Sequence, residues 1–218
     1  MANLSPEEIL FHQACKSGDI VQMKNIFMKI TNSKDDEGRT PIFTAVENGD
    51  SSIVNYLISN GAELNVQNLS GDTPLQIAAM KGCAEVAKIL IENGAIIDAK
   101  NKDGFTPLYI SSKEGHLEIV KFLIESKAEV NQKSRNEWTA LHIASQRGHT
   151  AVSKYLVENG AVVDAKIVNG FTPLYLASKF GQLETVKFLI KYKAQINQKC
   201  GKEWTALHVA SAEVTLQL

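Results

Sequence analysis

The residues of this chain that could carry out chemistry are its histidines and cysteines, and their scattered positions argue against a shared site. They are His12, His116, His142, His149, His208, Cys15, Cys83 and Cys200. Nucleophilic catalysis and metal binding both need two or more such groups within bonding reach of each other. Only Cys15 has basic neighbours close in sequence, His12 and Lys16, that could lower the pKa of a thiol. Because a small buried cysteine is the commoner outcome, we predict no catalytic residue and no metal site.

Two loops contain part of a ligand-binding pattern. The segment Gly201-Lys202-Glu203 lacks the upstream glycine and the following serine or threonine of a phosphate-binding loop. The acidic segment Asp35-Asp36-Glu37 lacks the alternating oxygen ligands and the closing glutamate of a calcium loop. We interpret the acidic segment as a solvated turn and predict no cofactor.

The chain is organised by a strict repeat of 33 residues. Its marker is a threonine, which recurs as Thr40, Thr73, Thr106, Thr139, Thr172 and Thr205. This threonine favours a helix N-cap, and a glycine such as Gly115 favours the C-cap, so each copy predicts a short helix. A longer helix follows with an apolar stripe, for example Ile119, Val120, Leu123 and Ile124. One helix pair cannot bury this stripe alone, so the pattern predicts stacked pairs.

The residues that accompany the threonine resemble the ankyrin-repeat family. The copy that starts at Thr139 shows the pattern most fully, with Leu141-His142, Ala144-Ser145, Gly148-His149, Gly160-Ala161 and Val163-Asp164. The resemblance spans about residues 10–211. It implies an all-α solenoid of stacked helix-turn-helix pairs with projecting β-hairpin-like loops. It also implies a non-enzymatic interaction module, a scaffold, adaptor or inhibitor, that binds a partner protein through a concave groove.

We interpret residues 1–218 as a single ankyrin-repeat domain. It comprises an N-terminal capping repeat 1–37, full repeats 38–70, 71–103, 104–136, 137–169 and 170–202, and an incomplete repeat 203–218. The last copy has no second helix, which leaves Leu207 and Val209 without a partner helix on one side. We favour truncation of a longer chain over self-association as the explanation. A monomer is expected unless this open C-terminal edge self-associates.

Several positions depart from the family pattern. They are Lys127 and Lys193 in place of a glycine before alanine, Glu137 and Glu203 in place of a tip glycine, and Phe43, Gln76, Tyr109 and Tyr175 in place of histidine. The two lysines predict second helices that end without the usual C-cap. The two glutamates predict loop tips of a different shape. The threonine–histidine hydrogen bond implied by the resemblance is expected only at His142 and His208.

A longer period of 66 residues lies over the first. Phe105 returns as Phe171, and Trp138 returns as Trp204, each within an identical hexapeptide. Similar surfaces are therefore expected at every second repeat of the C-terminal half.

Composition restricts the classes of partner and the compartment. The net charge of the 218 residues is −1, which argues against bulk attraction to nucleic acid or to an anionic membrane. The three cysteines form no disulfide framework, and no apolar run approaches the roughly 18 residues of a membrane span. The N-terminus carries no secretion signal. These features predict reduced thiols in the cytoplasm or nucleus and no membrane contact.

The groove of the family is built from loop tips and the ends of the first helices. Its early part is mostly acidic, whereas its later part mixes aromatic residues with an excess of cations. We predict a partner-binding set of Lys102, Phe105, Lys113, Arg135, Trp138, Gln146, Arg147, Phe171, Lys179, Phe180, Lys202 and Trp204. The predicted partner is a protein segment with apolar and acidic residues. The alternatives are a nucleotide or oligonucleotide binder that uses the same aromatic and basic residues, which the net charge disfavours, and a spacer without a binding role.

Three asparagines, Asn65, Asn131 and Asn197, occupy the loop position that asparaginyl hydroxylases modify in the family. Hydroxylation is one hypothesis for them. The favoured hypothesis is structural: these side chains bridge successive loops by hydrogen bonds.

Overall fold

The structure of the chain is a computed structural model that describes residues 6–20, 23, 31–200 and 204–216. The chain forms two compact units, Met1–Lys102 and Asp103–Leu218. The described residues are helical apart from loops, one short 3₁₀ turn and an isolated bridge between Cys200 and Trp204. The prediction of an all-α repeat fold is confirmed. The boundaries of the individual repeats stay a prediction.

The N-terminal unit contains paired helices. They are α1 (Pro6–Ser17), α2 (Pro41–Glu47), α3 (Ser51–Ser59), α4 (Pro74–Lys81) and α5 (Ala84–Glu92). Helix α2 packs against both α1 and α4, while α3 packs against α5. The first helices therefore form one layer of this unit, and the second helices form another.

The C-terminal unit repeats this plan. Its helices are α6 (Pro107–Glu114), α7 (Leu117–Glu125), α8 (Ala140–Arg147), α9 (Thr150–Glu158), α10 (Pro173–Lys179), α11 (Leu183–Lys191) and α12 (Ala206–Leu216). Helix α8 packs between α6 and α10, and α10 also packs against α12. In the second layer α9 packs between α7 and α11.

Local signals set the helix ends as the sequence predicts. The hydroxyl of Thr106 accepts a hydrogen bond of 3.2 Å from the Tyr109 amide at the start of α6. Gly115 ends the same helix in the left-handed conformation with φ +81°. The apolar stripe of α7 is buried at Ile119 and Leu123, which confirms the predicted core face.

The expectation that the second helices before Lys127 and Lys193 lack the usual C-cap is wrong. Both lysines adopt the left-handed conformation, with φ of 74° and 64°. The amide of Ala128 donates to the Leu123 carbonyl at 2.9 Å. The Ala95 amide makes the same bond to the Leu90 carbonyl after α5, where the left-handed residue is Gly94. The capping bonds therefore hold the lysine in a conformation that costs an ordinary L-residue about 1 kcal/mol or more.

The expectation of a differently shaped tip at Glu137 is also wrong. Glu137 has φ 65°, close to the φ 78° of Gly104 at the equivalent tip. Its amide donates to the Ser134 carbonyl at 3.0 Å, which closes the turn as Gly71 does with Asn68. Glu203 lies outside the described residues.

The tip with a different conformation is the one at Gly170. Other tips begin with a residue such as Asn68, whose side-chain oxygen accepts from the Ser70 and Asp72 amides at 2.9 Å each. Ile167 at this position has no such oxygen. The chain forms a 3₁₀ turn over Val168–Gly170 instead, with Asn169 at φ 73°.

The threonine–histidine interaction is present where histidine stands, and one other residue replaces it. The Thr139 amide donates to His142 Nδ1 at 3.2 Å, and His142 Nε2 lies 2.9 Å from the Ala165 carbonyl oxygen. Gln76 makes the equivalent pair of bonds, to the Thr73 amide at 2.7 Å and the Ala99 carbonyl at 3.2 Å. The network is thus not restricted to histidine. Where Phe43 occupies the position, the buried hydroxyl of Thr40 has no hydrogen-bond partner among the described residues.

Replacing Lys127 with glycine is expected to stabilise the protein by about 1 kcal/mol, because glycine adopts a left-handed φ without strain. The measurement is urea unfolding followed by tryptophan fluorescence, since both tryptophans, Trp138 and Trp204, lie in the C-terminal unit. The control is Lys166→Gly, an exposed loop lysine with an ordinary negative φ. The control should lose stability. A loss of the same size in Lys127→Gly would show that this position is not strained.

The last helix has an open face. Leu207 in α12 is 71% exposed, whereas Leu174 at the same repeat position in α10 is 1% exposed. Residues 205–216 are therefore expected to exchange amide hydrogens fastest after the chain termini, and α6 and α8 slowest. Hydrogen exchange read by mass spectrometry checks this order. Uniform protection through residue 216 in a demonstrated monomer would contradict it, and protection only at high protein concentration would indicate self-association.

Candidate functional site

The predicted partner-binding residues of the C-terminal unit lie on the loops before α6, α8, α10 and α12 and on the C-terminal ends of α6, α8 and α10. We call this set the tip face; it consists of Phe105, Lys113, Arg135, Trp138, Gln146, Arg147, Phe171, Lys179, Phe180 and Trp204. Lys102 belongs to the N-terminal unit, where it is exposed and its amide donates to the Ser70 carbonyl at 3.2 Å. Lys202 lies outside the described residues.

Hydrogen bonds between neighbouring repeats hold the tip face in register. The Arg135 amide donates to the Asp103 carbonyl at 3.2 Å, which joins two successive loops. At the ends of the first helices, His149 Nε2 lies 3.0 Å from the Lys113 carbonyl oxygen. Gln182 Nε2 donates to the Gln146 carbonyl at 3.2 Å. The contacts between repeats thus use the backbone groups of Lys113, Arg135 and Gln146 and not their side chains.

Phe105, Trp138 and Phe171 of the tip face pack against neighbouring side chains. Phe105 stacks on Tyr109 with ring centroids 4.3 Å apart and an interplanar angle of 3°. Trp138 is half-buried and, together with Phe171, packs against a buried cluster that includes Tyr175. Trp204 is 44% exposed. Packing thus orients these rings and leaves part of each of them accessible.

Three cations of the tip face have no carboxylate partner within the described part of the chain: Arg135, Arg147 and Lys179 are exposed and form no ion pair there. The Lys179 ammonium lies 5.9 Å from the centroid of the Phe180 ring. Lys113 differs, because its ammonium pairs with Glu114 at 3.2 Å. The tip face therefore presents unneutralised positive charge beside aromatic surface.

The charge of Arg147 also acts on a neighbouring helix. Burial raises the pKa of Tyr109 to about 12, and the positive charge of Arg147 partly opposes this rise. This agrees with the packing of α8, which carries Arg147, against α6, which carries Tyr109.

The acidic tips of the N-terminal unit are engaged internally. Arg39 pairs with Asp35 at 2.9 Å, with Glu37 at 3.3 Å and with Glu47 at 3.7 Å. Asp72 accepts a hydrogen bond of 2.8 Å from Asn101. These carboxylates are therefore engaged within the unit itself, although the single charge of Arg39 offsets only part of their negative charge.

One residue of the tip face was missed by the sequence prediction. Val168 is 59% exposed on the 3₁₀ turn, at the repeat position that Lys102 and Arg135 hold in other copies. A position-by-position comparison of the repeats could have included it. We add Val168 to the tip face as an exposed apolar group.

The three cysteines, which could act as nucleophiles or metal ligands, all have thiols that are less acidic than usual. Burial raises the pKa of the Cys15 thiol to about 12 and raises those of Cys83 and Cys200 as well. A thiol with a raised pKa carries little of the reactive thiolate. Among the described residues, no group of three or more histidine, cysteine or acidic side chains is placed to hold a metal ion.

The asparagines proposed for hydroxylation are exposed, and two of them bridge loops. Asn65 donates to the Gly94 carbonyl at 3.3 Å and accepts from the Ile96 amide at 2.7 Å. Asn131 makes the equivalent bonds to the next loop, at 2.9 Å and 3.0 Å. These bonds agree with the structural hypothesis. Hydroxylation of Asn65, Asn131 or Asn197 stays a prediction.

The family model described as ankyrin repeats in three copies matches residues 3–68, 42–134, 126–200 and 162–215. These matches cover nearly the whole sequence, and the chain belongs to the ankyrin-repeat family. Ankyrin repeats are generally protein–protein interaction modules and are typically not enzymes. No curated protein matches the chain. Within the described residues, no helix has the length and apolar character needed to cross a membrane.

Proposed function

We propose that this protein is a non-enzymatic interaction module, a scaffold, adaptor or inhibitor, which binds a partner protein through the tip face of its C-terminal unit. The observation that supports this proposal is the combination of Arg135, Arg147 and Lys179, which lack carboxylate partners there, with exposed aromatic surface. The partner segment presents apolar side chains to the rings and carboxylates to the cations.

The energetics favour such a partner. Aromatic and arginine side chains are the usual anchors of protein interfaces, each able to contribute roughly 2 kcal/mol when centrally buried. Rings held by stacking, such as Phe105 on Tyr109, lose little conformational entropy on binding. Opposite charges on the partner increase the association rate and set the orientation of the segment. The three unpaired thiols suit a reducing compartment, so we place the interaction in the cytoplasm or nucleus.

The proposal is tested by capturing partners with matched variants of the intact chain. Trp138 is a poor choice for substitution because it packs against the buried cluster. Arg147 and Phe180 are exposed, so Arg147→Glu with Phe180→Ser changes charge and apolar surface while leaving the core intact. The control is Lys187→Glu with Leu183→Ser, an exposed cation and an exposed apolar group on α11.

Partners that bind the tip face should be retained by the control and lost with the tip-face variant. Loss of the same partners with both variants, or with the control alone, would contradict the proposal. If nucleic acid rather than protein is captured, and its binding weakens steeply with salt, the oligonucleotide alternative is correct.

A further inference from the structure

The aromatic rings of the tip face and the rings beside them form the same arrangement twice. We call the first copy subsite A and the second subsite B; they consist of Phe105, Tyr109, Lys113, Trp138 and His142, and of Phe171, Tyr175, Lys179, Trp204 and His208. The phenylalanine stacks on the tyrosine at 4.3 Å and 3° in A, and at 4.5 Å and 6° in B. The tryptophan and histidine rings lie at 6.1 Å and 56° in A, and at 6.3 Å and 52° in B. The two subsites thus match in geometry as well as in sequence.

The two arrangements alternate along the C-terminal unit. A phenylalanine–tyrosine stack is followed by a tilted tryptophan–histidine pair, and this order then recurs. Surfaces that lie one repeat apart are therefore unlike, whereas surfaces that lie two repeats apart are alike. Whatever chemistry is recognised by subsite A is therefore presented again two repeats later.

Each subsite has one exposed cation without a carboxylate partner in the described part of the chain. Beside subsite A this cation is Arg147 on α8, which packs against α6, whereas Lys113 is paired with Glu114. In subsite B it is Lys179, whose ammonium lies 5.9 Å from the centroid of the Phe180 ring. Phe180, at the position of Glu114, is 48% exposed, and Trp204 is 44% exposed. Each subsite therefore favours an acidic residue beside an apolar anchor.

We propose that the partner is a protein segment that carries two related motifs in tandem, one for each subsite, each with an apolar anchor and an acidic residue. This inference rests on the proposed function and adds the architecture of the ligand. Its support is the matched ring geometry of the two subsites and the exposed cation at each of them.

The spacing of the two motifs follows from helix packing. Neighbouring helices pack about 8–10 Å apart, so two repeats displace a subsite by roughly 18 Å. An extended chain advances about 3.3 Å per residue and covers this displacement in about six residues. Because side chains of an extended chain alternate in direction, an even spacing places both anchors on the same side. We therefore expect the apolar anchors of the partner segment to be six residues apart.

Two linked motifs make the second contact intramolecular, so affinity depends on both subsites. Weakening either one alone should reduce the affinity at least tenfold. Arg147→Glu alters the surface beside subsite A, and Phe180→Ser alters the surface beside subsite B; both side chains are exposed.

The test uses a displayed library of random 16-residue peptides selected on the intact chain. The expected result is enrichment of peptides with two apolar positions six residues apart and an acidic residue next to each of them. A selected peptide is then synthesised with either anchor replaced by serine and titrated against the wild type and the two variants. In a double-mutant cycle, one motif should couple to Arg147 and the other motif to Phe180.

Enriched peptides with a single anchor, or coupling of both variants to the same anchor, would overturn the tandem-motif inference and leave the proposed function standing. A selection that enriches no peptide over an unrelated immobilised protein would overturn the proposed function, and this inference with it. The two failures are thus distinguishable.

Discussion

Replacing Gly104 with alanine is expected to lower the free energy of unfolding of the C-terminal unit by about 3 kcal/mol. Gly104 has φ +78°, and an added Cβ would lie 2.9 Å from the Arg135 amide nitrogen and 3.3 Å from the Ser134 backbone. The backbone neighbours must therefore move, which breaks the 3.2 Å bond between the Arg135 amide and the Asp103 carbonyl. Strain at φ and loss of this loop-to-loop bond act together.

A matched control separates these two causes. Gly160 also has a positive φ, +92°, but no described atom lies within 4 Å of an added Cβ. Gly160→Ala should cost only the conformational strain, about 1 kcal/mol. Denaturant unfolding followed by tryptophan fluorescence measures both. Equal losses in the two variants would show that loop-to-loop contact at Gly104 contributes nothing.

The C-terminal unit is expected to lose stability on mild acidification because of His142. Burial lowers the pKa of His142 from 6.5 to about 4, so the folded protein keeps this ring neutral. Between these values the unfolded chain binds a proton that the folded chain does not. The free energy of unfolding therefore falls as the pH drops from about 6.5 to about 4, by a total on the order of 3 kcal/mol.

The chain itself provides the control for this pH dependence. Gln76 makes the same two hydrogen bonds at the equivalent position and does not titrate. His142→Gln should therefore fold, and its unfolding free energy should fall much less between pH 6.5 and pH 4. The measurement is a series of urea titrations across this range. An equally steep loss in His142→Gln would assign the acid sensitivity to other groups.

The sequence predicts the helices of this protein well because their ends are determined locally. Thr106 and Gly115 act through bonds within one turn of the chain, and the 33-residue period places every copy in phase. The stripe at Ile119 and Leu123 is likewise buried as predicted.

The sequence predicts loop conformation less well because neighbouring bonds override residue preference. Lys127 and Glu137 are poor residues for a left-handed φ, yet the bonds of Ala128 to Leu123 and of Glu137 to Ser134 impose it. Conversely, the left-handed conformation of Asn169 in the 3₁₀ turn follows from Ile167, whose side chain offers no hydrogen-bond acceptor to the turn.

The charge of the candidate site also depends on contacts that spacing does not reveal. The acidic tips of the N-terminal unit are held by Arg39, and Lys113 of the tip face is paired with Glu114. Which charges remain for a partner therefore depends on side-chain geometry. Among the described residues, the predicted cations that form no ion pair are Arg135, Arg147 and Lys179 of the tip face and Lys102 of the N-terminal unit.

The most direct test of the proposed binding face is the dissociation constant of a captured partner for three forms of the intact chain at two salt concentrations. We predict that Arg147→Glu with Phe180→Ser weakens binding at least tenfold, while Lys187→Glu with Leu183→Ser changes it less than about twofold. For the wild type, a rise from 50 to 200 mM salt should weaken binding by less than about tenfold, because only part of the contact is ionic. Normal binding by the tip-face variant together with loss of binding in the α11 variant would contradict the account.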